Sequence, residues 1–453
     1  MVRIENNLSR GSVLSKLVLF ALPFLASNVV QSFYNVADML IVGNFSGMVS
    51  MSGVNIGGQV TLILTNMVIG LSVGATVLIG QYIGSDNQEG LRKVTATIIT
   101  LLVVLGLAIT VIMLFFKGAV LTLIKTPVES YEESDRYLTI TVTGIIFIFG
   151  YNALSAILRG MGNSKQPFYF VLAACVTNVI LDLIFVAVFH WDAAGAALAT
   201  VISQAMSVFL CIGYMVKNNF QFNFKFRSFK MYKRELALIF KVGLPTCAQN
   251  AVTSVSFLFL TTLVNTLGVS ASAAVGAVGK FNSFVFMPTM AISASISAMS
   301  AQNIGAKRLD RAVQTCRIGT AFSVCVTYTL FVLVQLFPAG ILSLFGNDPV
   351  MIQNGVTYIR SFSFDFLIIP FVFCINGFLI GGGHTIFTLI SSILSSLLLR
   401  IPVCYLLGVY AGMGLRGVGL GAPVASLGTL IITVIYLMTG AWKHNAVKHG
   451  TPG

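Results

Sequence analysis

Long apolar stretches alternate with short polar segments over almost the whole chain. A helix that crosses the hydrocarbon core of a membrane needs about 20 predominantly apolar residues. Twelve stretches reach that length: 15–42, 54–82, 94–116, 137–158, 167–190, 195–216, 238–266, 272–300, 314–336, 357–380, 386–409 and 417–441. Pro23 lies inside the first stretch and predicts a kink there, because proline removes a backbone donor and clashes with the preceding turn. The pattern predicts an all-α integral membrane protein with twelve transmembrane helices.

Composition favours a membrane protein. Of the 453 residues, 56% are hydrophobic and 9% are charged, whereas soluble domains average about 25% charged residues. The apolar stretch that follows the polar first 16 residues is too long for a signal peptide, so we expect it to stay as the first helix. The seven cysteines form no CxxC pair, and we interpret them as small buried side chains rather than disulfides or metal ligands.

Positive residues indicate the orientation of the predicted helices. The net charge is +13, and 20 of the 27 Lys and Arg residues fall on one set of alternate loops together with both chain ends, against six on the opposite set. Because cytoplasmic loops are enriched in Lys and Arg, both termini are predicted to be cytoplasmic. The richest stretch, 217–241, interleaves aromatic and basic residues. We interpret it as a linker on the anionic inner leaflet, with no nucleic-acid partner.

The two halves of the chain repeat each other at an offset of 221 to 222 residues. Four segments match in order: 22–23 with 244–245, 81–84 with 302–305, 158–162 with 379–383, and 195–198 with 417–420. Each half carries six predicted spans, so both halves enter the membrane from the same side, which is typical of parallel transporter repeats. A duplicated scaffold without transport is the alternative. The predicted organisation is an N-terminal segment 1–13, an N-lobe 14–216, a basic linker 217–237, a C-lobe 238–441 and a tail 442–453.

Two carboxylates, Asp38 and Asp182, lie inside predicted membrane helices. A charge at that depth costs about 3 kcal/mol on insertion scales, so such residues normally face a protein interior or a wet cavity. Asn178 lies one turn before Asp182 on the same helix face, and Thr200 is predicted at a similar depth in the outer half of the membrane. Hard oxygen ligands suit a small cation, and neighbouring carboxylates favour holding a proton. We expect a site for H+ or Na+; the alternative is that each acid only hydrogen-bonds a neighbouring helix.

The second half has one intramembrane acid and one base instead of an acid pair. Asp365 and Arg400 are predicted at matching depths on the tenth and eleventh helices. A buried ion pair would neutralise both charges and serve structure, with a part in ion coupling as the alternative. The asymmetry predicts that the coupling ion binds only the N-terminal half. No cofactor is expected, and no metal other than a possible sodium ion at the N-terminal site.

Three segments, QSFYNVADMLIVG (31–43), NVILDLIF (178–185) and GAALATVIS (195–203), resemble the multidrug and toxic compound extrusion (MATE) family. Within the family the chain looks most like bacterial members of the branch related to DNA-damage-inducible protein F. The resemblance runs from about residue 14 to residue 441 and includes the twelve-helix repeat. It implies a V-shaped pair of lobes that export organic, often cationic, drugs, driven by proton or sodium entry.

The resemblance also implies roles for individual residues. The cation or proton site corresponds to Asp38, Asn178, Asp182 and Thr200. The nearby substrate cavity corresponds to Gln31, Tyr34, Asn35, Tyr137 and Asn152, and the proline proposed to gate the site corresponds to Pro23. Another branch carries an acid on the seventh helix, where this chain offers only Gln249 and Asn250. That departure puts a C-lobe cation site in doubt.

These features predict a secondary multidrug antiporter rather than an enzyme, acting as a monomer in the plasma membrane of a bacterium. Its partners would be small-molecule drugs or organic cations and the surrounding lipids. A lipid-linked-sugar flippase of the same superfamily is the first alternative, but three intramembrane acids against one Arg disfavour an anionic headgroup. A membrane-embedded transferase is the second. Its candidate, the acidic segment 129–135, lacks His and Cys and is better explained as a solvated outer loop.

Overall fold

The computed structural model describes residues 7–218, 220 and 228–444, and these fold almost entirely into helices. The α-helices are α1 Val13–Phe45, α2 Gly47–Gly84, α3 Gln88–Leu123, α4 Val128–Thr143, α5 Ile145–Gly160, α6 Lys165–Asp182, α7 Asp192–Lys217, α8 Lys233–Asn265, α9 Val269–Gly305, α10 Leu309–Leu336, α11 Pro338–Leu342, α12 Pro349–Phe362, α13 Asp365–Gly381, α14 Thr385–Ile393, α15 Ile401–Tyr405 and α16 Gly414–Met438. Other described elements are the π-helical turns Leu183–Val188, Leu394–Arg400 and Leu406–Tyr410 and the 3-10 turn Ala441–Lys443. Much of the basic linker and the tail beyond residue 444 lie outside the described residues.

Twelve membrane spans follow from the described helices, as the sequence predicts. Ten are continuous helices, some extended by π-helical turns, that are long and apolar enough to cross a membrane; the other two are bent pairs, α4 with α5 at 48° and α12 with α13 at 50°. The helices extend beyond their apolar centres, and α2 covers Gly47–Gly84 where hydropathy indicates 54–82. At the start of α3, Asn87 Oδ1 accepts a hydrogen bond from the Gly90 amide at 2.8 Å. Such capping satisfies a backbone donor that the helix itself leaves unpaired.

The bend between α4 and α5 occurs at Gly144, where α7 comes close. A Cβ atom at Gly144 would lie 2.4 Å from the Val201 side chain, so this approach requires glycine. The structure also corrects the expectation of a loop at 129–135, because these residues form the first turns of α4. There Lys117 Nζ, from α3, donates to Asp135 at 2.6 Å. The acidic stretch therefore begins a helix, and its Asp135 is paired with a lysine of the neighbouring helix α3.

The chain divides into two compact units whose borders fall inside helices. Unit 1 contains Leu22–Gly243, and unit 2 contains Leu8–Ala21 together with the chain from Leu244 onward. Both borders immediately precede a Leu-Pro pair, one in α1 and one in α8. They differ from the predicted lobe borders at residues 14 and 238. Each unit thus includes the first turns of the helix that opens the other unit.

Packing explains why each unit contains the first turns of the helix that opens the other unit. In unit 2, Leu17 and Phe20 of α1 belong to a buried apolar cluster with Ile296 of α9. The Leu8 amide donates to Gln302 Oε1 at 3.0 Å. In unit 1, a Cβ atom at Gly74 of α2 would lie 2.6 Å from the Ile239 carbonyl oxygen of α8. The small residue lets the two helix backbones approach closely, which is the usual source of packing between membrane helices.

Candidate functional site

Asp38 and Asp182 meet inside unit 1. Asp38 lies on α1 and Asp182 is the last residue of α6; their exposed fractions are 8% and 0%. Their carboxyl groups lie within hydrogen-bonding reach of each other. Asp38 Oδ1 and Asp182 Oδ1 are both buried and accept no hydrogen bond from the other described residues. Two carboxyl groups in this arrangement hydrogen-bond only if one carries a proton, since an ionised carboxylate is an acceptor only.

Asn178 connects the acid pair to α7. It is fully buried one turn before Asp182. With its amide nitrogen towards the carboxyl group, Asn178 donates to Asp182 Oδ2 at 2.7 Å and accepts from the Thr200 amide at 3.1 Å. This orientation satisfies both ends of a buried amide, and it fixes the rotamer that holds Asp182 in place. The structure therefore brings together all four residues of the predicted ion site: Asp38, Asn178, Asp182 and Thr200.

Two tyrosines complete the site. The hydroxyl groups of Tyr34 and Thr200 are hydrogen-bonded at 3.1 Å. The hydroxyl group of Tyr137, on α4, also approaches Thr200, and both rings lie within electrostatic range of the two acids. Tyr137 keeps its position because Gly57 of α2 leaves room for it: a Cβ atom there would lie 2.5 Å from the ring. Four helices and the hydroxyl groups they carry thus enclose the carboxyl pair.

A π-helical turn, Leu183–Val188, follows directly after Asp182. Single π turns inside α-helices are frequent at functional sites, because they rotate the helix face and rearrange its backbone hydrogen bonds. Here the turn ends where the Trp191 amide donates to the Phe185 carbonyl at 2.9 Å and the two rings stack 5.2 Å apart. The apolar sequence of this turn contains neither proline nor glycine. Hydropathy therefore does not reveal it.

A small polar cavity of about 20 Å³ lies beside the site in unit 1, room for about one water molecule. Its lining residues are Gln31, Tyr34, Tyr151, Val171, Ala174, Cys175, Asn178, Ser203, Gln204 and Ser207. Of the predicted cavity residues, Gln31 and Tyr34 line it and Tyr137 lies at the acid pair. Asn35 is exposed, and Asn152 Nδ2 donates to the Ile148 carbonyl of its own helix at 2.8 Å.

Ser203, Gln204 and Ser207 of α7 and Tyr151 of α5 line the cavity but were not predicted from the sequence. Thr200, Ser203, Gln204 and Ser207 are spaced as one polar stripe on α7, at positions i, i+3, i+4 and i+7. That periodicity is visible in the sequence and was the signal available. Tyr151 of α5 gave no such signal, because its place in the cavity lining depends on how α5 packs against its neighbours.

Pro23 lies inside α1, which runs without interruption from Val13 to Phe45. The border between the units falls just before it, after Ala21. One turn later the Ser27 hydroxyl donates to the Pro23 carbonyl at 2.8 Å. The guanidinium group of Arg159 lies over the Phe24 ring at 5.5 Å. The residues around the proline are thus held by polar and cation–π contacts within unit 1.

Asp365 and Arg400 do not form the expected ion pair. Both lie in the described part of unit 2, yet no salt bridge joins them there. Asp365, 3% exposed, hydrogen-bonds the Ser426 side chain, while the Arg400 guanidinium lies over the Phe257 ring at 4.9 Å. The residues still interact electrostatically. The prediction of a direct pair is wrong because matching depth does not make two side chains point at each other.

The repeat offset of 222 residues relates the two sites. It places Arg400 at the position of Asn178 and Cys404 at that of Asp182. The π turn after Asp182 has a counterpart in Leu406–Tyr410. Unit 2 therefore repeats the π turn that follows the site, but it carries a guanidinium group and a thiol where unit 1 carries an amide and an acid.

Known proteins match the chain along almost its full length. A family model described as MatE matches residues 23–184 and 245–406, two ranges that are themselves offset by 222 residues (245 − 23 and 406 − 184). The chain is 28% identical to the probable multidrug resistance protein YpnP of Bacillus subtilis over 436 residues, which cover 96% of this chain and 97% of that protein. It is 29% identical over 446 residues to the probable multidrug resistance protein YoeA of the same organism, covering 97% and 96% of the two chains.

Solved structures share the fold. One is an outward-facing multidrug resistance MATE family transporter of the MOP superfamily, at 23% identity and a TM-score of 0.89, with 96% of this chain and 98% of that chain covered. Another is a MOP superfamily transporter from Pyrococcus furiosus, at 22% identity and a TM-score of 0.88, with the same coverage. At these identities the similarity establishes the twelve-helix architecture and its two repeats.

Proposed function

Because the chain belongs to the MatE family of multidrug and toxic compound extrusion transporters, we propose that it exports organic, often cationic, compounds in exchange for protons or sodium ions by alternating access. The relatives named multidrug resistance proteins support the cargo class. Both termini are assigned to the cytoplasm on the distribution of Lys and Arg. All residues of the proposed ion site come from one chain, which supports a monomer as the working unit.

The observation that carries the proposal is the hydrogen-bonding contact between the buried carboxyl groups of Asp38 and Asp182. One proton shared by the pair satisfies both acids, and its loss leaves two negative charges in a site from which water is largely excluded. The pair therefore favours holding one cation at a time. A proton fits the observed contact directly. Sodium would need the Asp carboxylates together with the Asn178 and Thr200 oxygen atoms as hard ligands, after the two acids move apart.

Tyr34 supports a direct competition between the ion and the exported compound. Its hydroxyl group bonds Thr200 of the ion site, and its side chain also lines the polar cavity with Gln31. The cavity is far smaller than the several hundred Å³ typical of a drug site. An exported compound that enters must move Tyr34 and its neighbours, and this breaks the contact that organises the ion site. Cation entry would reverse the change and expel the compound.

Transport by the full-length protein in proteoliposomes tests the proposal. An inward-directed pH gradient and an inward-directed sodium gradient are imposed separately, and efflux of a fluorescent organic cation is followed. We expect the pH gradient to drive efflux and Asp182→Asn to abolish it, because the variant cannot exchange the shared proton. The matched control Asp310→Asn, at an exposed acid in the first turn of α10, should transport normally.

One result would contradict the proposal, and a second would identify sodium as the coupling ion. Full gradient-driven efflux by Asp182→Asn would remove the acid pair from the mechanism. Efflux driven by sodium alone would replace the proton with sodium as the coupling ion at the same site. In each case the protein level and the elution profile of the variant must equal those of the wild type.

A further inference from the structure

Unit 2 carries a groove that the proposed transport cycle does not use. We call it the α10 groove. It has a volume of about 590 Å³ and is lined by Val313, Cys316, Arg317, Thr320, Ala321 and Val324 of α10, by Phe371, Ile375 and Phe378 of α13, and by Leu437 and Trp442 at the end of α16. A volume of this size is enough for a small organic ligand.

The groove is long, apolar and charged near one end. The lining residues of α10 run from Val313 to Val324, a stretch of twelve residues whose eleven steps of 1.5 Å span about 16 Å along the helix. Thr320 adds little polarity, because its hydroxyl group already donates to the Cys316 carbonyl at 2.8 Å. Arg317 is exposed and takes part in no salt bridge within the described chain. The shape is an apolar slot that ends at a free guanidinium group.

Aromatic and basic residues surround the charged end. Trp442 packs edge-on against Phe378 at 5.5 Å, and its indole nitrogen donates to the Leu437 carbonyl at 2.7 Å. Lys443 lies over the Trp442 ring at 5.9 Å. Tryptophan with neighbouring basic side chains is typical of the level where lipid headgroups begin. The charged end of the groove therefore lies at the expected depth of a phosphate group.

The position that corresponds to Arg317 in unit 1 carries no charge. At the offset of 221 residues, which the flanking matches 81–84 with 302–305 and 158–162 with 379–383 share, Arg317 corresponds to Ala96 of α3, which is 5% exposed. Tyr232, just before α8, lies against α3 nearby, and its backbone amide donates to Thr97 Oγ1 at 3.2 Å. The guanidinium group of the groove is therefore particular to unit 2.

We propose that the α10 groove binds one anionic phospholipid, with an acyl chain along α10 and α13 and its phosphate on Arg317. A guanidinium group binds a phosphate oxygen pair through two parallel hydrogen bonds. Basic pockets between membrane helices bind acidic lipid headgroups through the same attraction between positive side chains and phosphate. An organic cation is the poorer occupant, because Arg317 and Lys443 repel it. The apolar walls exclude a sugar or another polar solute.

Native mass spectrometry of the full-length protein tests this proposal. The protein is purified in detergent and titrated with phosphatidylglycerol or with phosphatidylcholine of the same acyl chains. We expect one phosphatidylglycerol to be retained about tenfold more strongly than phosphatidylcholine, because only the anionic lipid has a net charge to match Arg317. Arg317→Gln should remove this preference, and Ala321→Phe should fill the slot and reduce retention of both lipids.

Two matched controls separate the groove from the general lipid surface. Arg416→Gln removes an exposed basic residue near the opposite end of the spans, and Val332→Phe adds the same ring at an exposed position further along α10. Both should bind phosphatidylglycerol as the wild type does. If Ala321→Phe does not elute as a folded protein, the lipid preference of Arg317→Gln alone tests the proposal.

Three results would overturn the proposal. Equal retention of the two lipids by the wild type would show that no anionic site exists. An unchanged preference in Arg317→Gln would place the site elsewhere. Displacement of the lipid by tetraphenylphosphonium at equal concentration would make the groove a site for organic cations.

Discussion

The hydroxyl groups of Tyr34 and Thr200 are hydrogen-bonded at 3.1 Å, and this contact joins the polar cavity to the acid pair in unit 1. Tyr34 reaches the site from α1, and Thr200 reaches it from the polar stripe of α7. Thr200 also contacts Asn178, whose amide holds Asp182. The path from Tyr34 to Asp182 therefore runs through the Thr200 hydroxyl group and backbone amide and then the Asn178 side chain.

We predict that Tyr34→Phe weakens the link between substrate binding and proton release. The purified protein is mixed with an organic cation in weakly buffered solution, and released protons are followed with a pH indicator. The variant should release several-fold fewer protons per bound cation, because a hydrogen bond worth about 1 kcal/mol is lost. Tyr169→Phe, at a 55% exposed tyrosine, is the control and should behave as the wild type.

The same contact predicts non-additive effects of two substitutions. Thr200→Val removes the other partner of the hydrogen bond, so Tyr34→Phe and Thr200→Val together should lower proton release hardly more than either alone. A double-mutant cycle should give a coupling energy of about 1 kcal/mol between the two positions. Fully additive effects would mean that the hydroxyl groups act independently.

Tyr137 depends on the absence of a side chain at Gly57. A Cβ atom there would lie 2.5 Å from the Tyr137 ring, whereas a Cβ atom at the adjacent Gly58 has only the Tyr137 hydroxyl oxygen nearby, at 3.9 Å. Gly57→Ala should therefore push the ring away from Thr200, lower efflux and reduce stability by about 1–3 kcal/mol. Gly58→Ala should be neutral or slightly stabilising, because alanine favours a helix. Thermal unfolding in detergent and efflux from proteoliposomes measure the two effects, and equal behaviour of the variants would contradict this reading of the packing.

Asp365 and Arg400 should affect stability rather than coupling. Arg400→Gln leaves Asp365 buried without a nearby positive charge and should lower the free energy of unfolding by about 1 kcal/mol or more. The double variant Asp365→Asn/Arg400→Gln should recover part of this loss, since it removes both charges. Asp365→Asn alone should keep the pH-driven efflux of the wild type, because the proposed ion site lies in unit 1. Loss of efflux in Asp365→Asn with normal stability would assign a second ion site to unit 2; Arg360→Gln, at an exposed residue of α12, is the control.

The sequence alone determined the number of spans and the repeat, and it predicted the depth of the candidate acids. Span number follows from the length of apolar stretch that a bilayer requires. Two of the twelve spans are bent, and none is added or removed. The depth of Asp38 and Asp182 follows from their distance to the ends of their helices. The polar stripe from Thr200 to Ser207 was also available, because it follows the helical period.

Only the tertiary structure decided which side chains meet. Depth along a span is fixed by residue number, but the direction a side chain faces depends on how each helix is rotated against its neighbours. Asp38 and Asp182 point at each other, whereas Asp365 and Arg400, predicted at equal depth, turn to Ser426 and Phe257. The π turn after Asp182 and the exchange of helix starts at the two Leu-Pro pairs also depend on close packing with other helices. A hydropathy pattern carries no record of that rotation, because it measures how apolar a stretch is and not what lies beside it.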